Sequence, residues 1–416
     1  MSIRYSSALR EPIRREIEAL GDADILIGIP CYYSEDTIAH VLKTVIEGLS
    51  VHFPDKKAVV IVSDGGSTDD TREIAETVEV SHFGVKKFVL IYRGLPGKGS
   101  AFRAIFEIAS FLNVKAVAVF DSDLHSITDR WIKNVLTPVF EGYDYVAPDY
   151  VRHKYDGTIT NTIAYMLIKG LYGVNIRQPI GGDFGISQRL VRHYVSLDVW
   201  ETDIARFGID IWMTATAIVD SFSVCQARLG VKIHGKKDPT ADLSPMFRQV
   251  VGTFFMLLDD HYHFWAQNGE VHDVPVFGTI ESHAPEMIPI NAGALIEYFK
   301  TGYVNFGSVW ATIIDDTDFA LVETNALAKE GIPLVLPIES WVRIVYSYAV
   351  AFKRTPYQRF KLLDTMIPLY YARVASIVTA LENISDEGAE QFFAEQAHTF
   401  FTMKSYLKEK WDKGKE

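Results

Sequence analysis

Two textures of hydrophobic and polar positions alternate along the first 235 residues. Short unbroken apolar runs end abruptly at proline, glycine or acids: Ile25-Leu26-Ile27-Gly28-Ile29-Pro30, Ala58-Val59-Val60-Ile61-Val62, Phe88-Val89-Leu90-Ile91-Tyr92 and Ala116-Val117-Ala118-Val119-Phe120. Runs of this length, apolar at consecutive positions, predict strands buried on both faces of a parallel sheet. Between them apolar residues recur every three or four positions, as at Ile38, Val41, Leu42 and Val45, the spacing of one helix face. Residues 9–20 predict an amphipathic helix ahead of the first strand. Ser34 or Asp36 is the expected cap of the helix carrying Ile38, and Thr68 or Asp69 that of the next. Further strands are expected over 143–148 and 226–234, and helices over 163–171 and 207–218. Such alternation predicts right-handed βαβ units and an α/β fold with a mostly parallel, Rossmann-like sheet. From about residue 240 the pattern becomes helical, most clearly over 240–267, 338–353, 356–381 and 389–410. The expected division is a sheet domain over 1–240 and a mainly helical carboxyl-terminal region over 241–416.

Composition narrows the function classes. A length of 416 residues allows two lobes or one enlarged domain. Hydrophobic residues at 48% and charged residues at 23% are those of an ordinary globular protein. A formal charge of -12 argues against nucleic acid as a partner, because little would neutralise a phosphate backbone. Cys31 and Cys225 build neither a disulfide framework nor a zinc site. Charges at Arg10, Glu11, Arg14, Arg15 and Glu16 interrupt any apolar signal core, and no apolar run is long enough to span a bilayer. A cytoplasmic protein without a membrane partner is the expectation. The aromatics of the helical part, among them Trp265, Trp341 and Tyr346, are expected to pack or to form a homodimer interface.

The chemistry gathers at the strand ends, where open α/β sheets bind their ligands. The fourth apolar run ends in Asp121-Ser122-Asp123. In an extended segment residues i and i+2 point the same way, so both acids would face one hard cation such as Mg²⁺. Asp64 ends the second strand, placed to accept hydrogen bonds from a ribose or base edge. Lys98 stands between Gly97 and Gly99, where the backbone can approach a diphosphate and the lysine supplies a point charge. The spacing is not that of a P-loop. Arg152 is suited to grip a carboxylate. Asp183 lies in the glycine-rich stretch Pro179-Ile180-Gly181-Gly182-Asp183, either to hold a sugar hydroxyl or as part of a bulged turn. Asp210 is a helix-dipole acid or a substrate carboxylate, and His234 a structural residue or a metal ligand beside Asp123.

In this order the motifs resemble the retaining GT-A glycosyltransferases that make glucosyl- or mannosylglycerate, free or 3-phosphorylated. The resemblance runs from about residue 24 to 260. It rests on residues 30–35, Ser63-Asp64, Pro96-Gly97-Lys98-Gly99, Asp121-Ser122-Asp123-Leu124, Pro179-Ile180-Gly181-Gly182, Gly208-Ile209-Asp210 and Gly230-Val231-Lys232-Ile233-His234. It implies that Pro30, Tyr32, Glu35 and Asp64 hold the nucleoside and Lys98 the diphosphate. It also implies that Asp123 and His234 bind Mg²⁺ or Mn²⁺, with Asp121 toward ribose or metal. Gly181 and Gly182 would line the sugar and acceptor pocket, and Asp210 would face the donor sugar. Two departures lean toward free D-glycerate rather than 3-phosphoglycerate. The phosphoglycerate enzymes carry glutamate at the position of Asp210, and Gly-Arg-Val-Thr where this chain has Gly157-Thr158-Ile159-Thr160. Thr158 cannot supply the charge a phosphate clamp needs. Arg152 and Thr160 would then hold the glycerate carboxylate. The expectation is glucosyl transfer to glycerate; mannosylglycerate synthesis and the two phosphorylated variants are alternatives. A nucleotidyltransferase, which combines a glycine-lysine loop with an aspartate metal site, is the alternative from another class.

Overall fold

The computed structural model describes residues 7–80, 84–233, 244–279, 285 and 287–413. Its strands are β1 (Ile25–Cys31), β2 (Ala58–Asp64), β3 (Lys86–Ile91), β4 (Ala116–Val119), β5 (Tyr145–Val151), β6 (Val174–Asn175), β7 (Phe184–Ser187), β8 (Val224–Val231), β9 (His272–Asp273) and β10 (Val276–Phe277). The chain forms two compact units. One takes Met1–Val151, Ile176–Lys236 and Val274–Pro285; the other takes Arg152–Asn175, Lys237–Asp273 and Glu286–Glu416.

The first unit holds an eight-stranded sheet in the order β10-β8-β5-β7-β4-β1-β2-β3. Every neighbouring pair is parallel except those of β7, which runs antiparallel to both β4 and β5. The fold is therefore the expected mostly parallel GT-A, Rossmann-like sheet, with helices following the strands and a helical carboxyl-terminal part. Ile25 of β1 stands opposite Ala58 of β2 and Ala116 of β4, so the three parallel strands start level and send their loops to the same edge, β4 ending opposite Gly28 and β1 and β2 three residues further on. Ile25, Ile27 and Ile29 share one buried core with Val41, Leu42 and Val45 of the helix Ile38–His52, Ala118 of β4, and Ile132 and Val135 of the helix Asp129–Phe140. Each such buried side chain stabilises the sheet by ~1.5–3 kcal/mol. On the other face the helix Lys98–Phe111 presses on β1 closely enough that a Cβ on Gly28 would come 2.5 Å from Ile105 Cγ2.

Three local expectations are corrected. β4 stops at Val119, so Asp121-Ser122-Asp123 sits on a turn and the period-two argument for two acids facing one cation lapses. The stretch 178–187, expected to be loop throughout, ends in β7. Gly185 at its centre masks the strand, yet glycine is needed there because a Cβ would stand 2.6 Å from the Val135 carbonyl oxygen. The caps expected at Ser34 or Asp36 are replaced by Thr37, which precedes the helix at Ile38 without a side-chain cap, whereas Asp69 Oδ1 accepts from the Thr71 amide at 3.3 Å at the start of the next helix.

The second unit is helical. Residues 160–172 form consecutive π, α and π turns. The helices Ser244–Asp260, Tyr262–Gln267, Ile338–Arg354, Arg359–Leu381, Asp386–Thr402 and Lys404–Asp412 answer to the expected segments, and Ala292–Ile313 and Asp316–Ala326 are additional. Its core is aromatic: Trp265, Trp310, Trp341 and Trp411 are fully buried. The indole nitrogens of the first three donate to the carbonyls of Leu258, Thr365 and Thr162. Gly302 lets its helix touch Pro368, which a Cβ would overlap. Among the described residues no helix is long and apolar enough to cross a membrane.

Candidate active site

The loops after β1, β2 and β4 are tied together by short side chains. Ser34 Oγ and Ser122 Oγ are hydrogen-bonded at 2.8 Å, and Thr37 Oγ1 donates to the Ser122 carbonyl at 2.7 Å. Asp64, at the end of β2, is fully buried and spends its carboxylate on its own loop. It accepts from the amides of Gly66 (2.7 Å) and Ser67 (2.9 Å) and from Ser67 Oγ (2.6 Å). Ser67 Oγ also accepts from the Tyr33 amide. Tyr33 has φ +51, a strained left-handed conformation for a non-glycine residue. It leaves Tyr32 60% exposed, over Gly65, where a Cβ would come within 3.0 Å of the ring. Pro30 is buried in β1, while exposed Glu35 accepts from the Asp70 amide at 3.0 Å.

Lys98 begins the helix Lys98–Phe111. A backbone bond from the Gly99 amide to the Arg206 carbonyl (3.2 Å) holds its turn, and there is no room for side chains at Gly97 or Gly99. A Cβ on Gly97 would stand 2.6 Å from the Ala205 oxygen, and one on Gly99 would overlap the Ile204 oxygen. From this turn the Lys98 ammonium reaches Asp121 Oδ1 at 2.8 Å and Asp210 Oδ2 at 3.2 Å. Asp210 lies in the first turn of the helix Ile209–Val219, and its Oδ1 is buried without a hydrogen-bond partner.

A second lysine completes the cluster. Lys232, just beyond β8, donates to Asp121 Oδ2 (2.9 Å), Asp183 Oδ2 (2.9 Å) and the Gly181 carbonyl (2.7 Å). Tyr150 from β5 also donates to Asp183 Oδ2, and Asp183 Oδ1 accepts from the Asp121 amide at 2.8 Å. Gly182 has φ +93, and any Cβ there would overlap Asp121 Oδ2.

These contacts sort the carboxylates. Burial works to raise the pKa of Asp121, but the ammoniums of Lys232 and Lys98 outweigh it and hold the group well below the ordinary range. Lys98 is pushed up, because Asp121 and Asp210 together outweigh its burial. Asp183 goes up instead: it is wholly buried, has one ammonium, and lies beside the charge of Asp121. Asp210 also goes up, chiefly by burial. Cys31, at the end of β1, is inert by comparison, its thiol pushed up to about 12 by burial.

Of the residues singled out in the sequence, Lys98, Asp121, Gly181, Gly182, Asp183 and Asp210 come together here. Asp183, read in the sequence as a sugar-hydroxyl contact or as part of a bulged turn, is buried with Oδ1 bonded to the Asp121 amide and Oδ2 to Lys232 and Tyr150. Asp123 lies at the same turn, two residues from Asp121. His234, its expected companion on a metal, lies outside the described residues. Among the described residues no three His, Cys, Asp or Glu side chains gather as a metal site. Arg152, Thr158 and Thr160 belong to the second unit. There Arg152 Nη1 bonds Asp156 Oδ2 at 2.9 Å, the Thr158 hydroxyl bonds that of Tyr370, and Thr160 is buried. Tyr150 and Lys232 were missed as site residues. Tyr150 carried no signal beyond a polar group near the end of a strand, and Lys232 stood inside the Gly230-Val231-Lys232-Ile233-His234 motif with no role assigned to it.

Part of the chain is similar to known proteins. "Glycosyltransferase AglJ" of Haloferax volcanii is 30% identical over 165 residues, 38% of this chain and 48% of that protein. The chain thus matches about half the length of this curated relative. Among solved structures, glucosyl-3-phosphoglycerate synthase from Mycobacterium tuberculosis with Mn²⁺, UDP-glucose and phosphoglyceric acid is 25% identical at TM-score 0.44, covering 58% of this chain and 82% of that one. The same enzyme with Mg²⁺ and UDP gives the same values. Residues 26–195, which carry Lys98, Asp121, Gly182 and Asp183, match the family described as glycosyl transferase family 2.

Proposed function

We propose that this chain is a metal-dependent, retaining glycosyltransferase that moves glucose from a nucleoside-diphosphate glucose to D-glycerate. The observation that carries the reading is Lys98, an ammonium on a glycine turn at the carboxyl edge of a parallel sheet, held by Asp121 and Asp210. Two carboxylates fix its position, and an ammonium has a third N–H to give a phosphate oxygen. The preorganised charge stabilises the diphosphate as it departs. The exposed Tyr32 ring offers a face to the nucleobase, and Asp64 keeps the 64–67 loop in shape beside it. Asp123 and His234 are the residues that would hold Mg²⁺ or Mn²⁺, which when bound supplies Lewis-acid charge to the same leaving group. Asp121, already shared by two ammoniums, serves Lys98.

Asp210 faces the donor sugar in this reading, its unpartnered Oδ1 ready to accept a hydroxyl. Gly181 and Gly182, the turn beside Asp121, are the residues that would line the sugar and acceptor pocket. The glycerate hydroxyl attacks the anomeric carbon from the face the diphosphate leaves, its proton passing to the leaving phosphate oxygen. Arg152 and Thr160 are the residues that the resemblance assigns to the glycerate carboxylate, and Thr158, already bonded to Tyr370, brings no charge for a phosphate.

The test pairs UDP-, GDP- and ADP-glucose and GDP-mannose with D-glycerate and 3-phosphoglycerate, with and without Mg²⁺ or Mn²⁺, and reads the product anomer by NMR. An α-linked glucosylglycerate is expected. A higher kcat/KM for 3-phosphoglycerate would discard the acceptor argument and keep the reaction class. Pyrophosphate released from a nucleoside triphosphate would make the protein a nucleotidyltransferase instead.

A further inference from the structure

Transfer chemistry of this kind uses Lys98 and assigns nothing to the second buried lysine. Lys232 is 8% exposed, and its Nζ donates to three acceptors among the described residues, Asp121 Oδ2, Asp183 Oδ2 and the Gly181 carbonyl. Its Nζ also lies 5.0 Å from the centre of the Tyr150 ring, a cation–π distance. Tyr150 OH bonds Asp183 and, at 3.3 Å, the same Gly181 carbonyl. One buried knot thereby joins the ends of β4, β5 and β8 to the turn leading into β7. Gly182 sits inside it, with no room for a Cβ against Asp121.

We infer that Lys232 is a positioning residue for the transfer reaction. It pins Asp121 Oδ2, so that the other oxygen is presented to Lys98, and it pins the Gly181–Gly182 turn against the same carboxylate. A lysine so enclosed does not reach the substrate; it acts through Asp121 on where Lys98 stands. The inference rests on the glycosyltransferase reading. The competing explanation is a counter-ion that serves the fold alone, since removing one partner of a buried charge cluster is destabilising whatever the cluster does.

Two variants of the full chain separate the explanations. Lys232→Met leaves the Asp121 and Asp183 carboxylates short of one positive charge. Adding Asp183→Asn removes one negative charge as well, which restores the balance without restoring the tether on Asp121. Melting temperature, kcat and donor KM are read for wild type, Lys232→Met and the double variant, using whichever nucleoside-diphosphate hexose the wild type turns over. Lys232→Met is expected to lower the melting temperature by about 5 °C and kcat by at least about tenfold, with donor KM within about threefold. The double variant is expected to regain most of the melting temperature and little of kcat. Recovery of kcat together with stability would make Lys232 a counter-ion only. A raised KM at unchanged kcat would make it a donor contact, and failure of both variants to fold would make it a fold-holding charge; each result overturns the inference. A wild type that turns over no nucleoside-diphosphate sugar sinks the glycosyltransferase reading and this inference with it, an outcome distinct from failure in an active enzyme.

Discussion

At the scale of single residues the cluster shows how one chemical type takes different parts. Asp121, Asp183 and Asp210 are all aspartates in one buried site, yet the first is held charged and the other two are pushed toward neutrality. A carboxyl whose folded pKa lies above its unfolded value, about 3.9, contributes stability that is complete below that value and is lost as pH rises through the folded pKa. Asp210 is of this kind. Asp210→Asn, a mimic of the neutral form, is therefore expected to raise the melting temperature near pH 7, the gain shrinking as pH falls toward about 4. Turnover should be lost while donor binding persists. Melts across that range check the first claim, and unchanged turnover would remove Asp210 from the mechanism. Asp121 runs the other way: its contribution is present above the unfolded pKa and is lost as pH falls through the lowered folded one. Gly182→Ala meets both a positive φ and the Asp121 carboxylate. A strain of about 1–3 kcal/mol is expected, and kcat should fall by more than the loss of stability alone explains, read by kinetics and melts on the same preparation.

At the scale of elements, the sheet was legible and its joints were not. Four apolar runs became β1 to β4; β1, β2 and β4 are buried throughout, as apolar residues in unbroken sequence predict, whereas β3 lies at the sheet edge and is only partly buried. β7 escaped because it is four residues long with a glycine in the middle, and its partners come from distant β4 and β5. The caps expected at Ser34 and Asp36 failed for a similar reason. Ser34 and Thr37 bond to Ser122, 85 or more residues away, instead of to the helix they precede. The turn at Gly97-Lys98-Gly99 gives the corresponding prediction. An alanine at Gly99 would drive the start of the helix Lys98–Phe111 off the backbone of 204–206. Gly99→Ala is expected to cost about 1–3 kcal/mol and, because Lys98 rides on the same turn, to weaken UDP binding about tenfold. Calorimetric melting and titration read the two effects separately, and an unchanged UDP affinity would detach Lys98 from the donor.

At the scale of the whole molecule, the reading predicts that nucleotide and metal stabilise the chain together. UDP at about a hundred times its Kd with Mg²⁺ should add about 2.7 kcal/mol, and EDTA should remove most of that gain in a thermal melt. A gain from UDP that EDTA leaves intact would dissociate the donor site from a divalent cation. The abundant aromatics of the helical part, expected to serve packing or an interface, include Trp265, Trp341 and Tyr346 in its buried core. Conversely, the lysines near the carboxyl terminus, which look like a solvated tail in sequence, partly lie on the helix Lys404–Asp412. There Lys410 pairs with Asp315, and Lys404 bonds the Asn268 carbonyl.

The sequence by itself determined the α/β class, the order of the strands along the chain, the helical carboxyl-terminal part and a short list of polar residues at strand ends. These follow from periodicity and from local turn chemistry, which act over a few residues at a time. Tertiary structure alone decided which of those polar residues meet. Lys98, Asp121, Gly181, Asp183, Asp210 and Lys232 span more than 130 residues of chain, and only the lateral order of β4, β5, β7 and β8 brings them within hydrogen-bonding reach. Burial then assigned their charges. A carboxylate beside two ammoniums is held well below the ordinary range and one beside a single ammonium is pushed up from it, a difference that no residue carries in its own name.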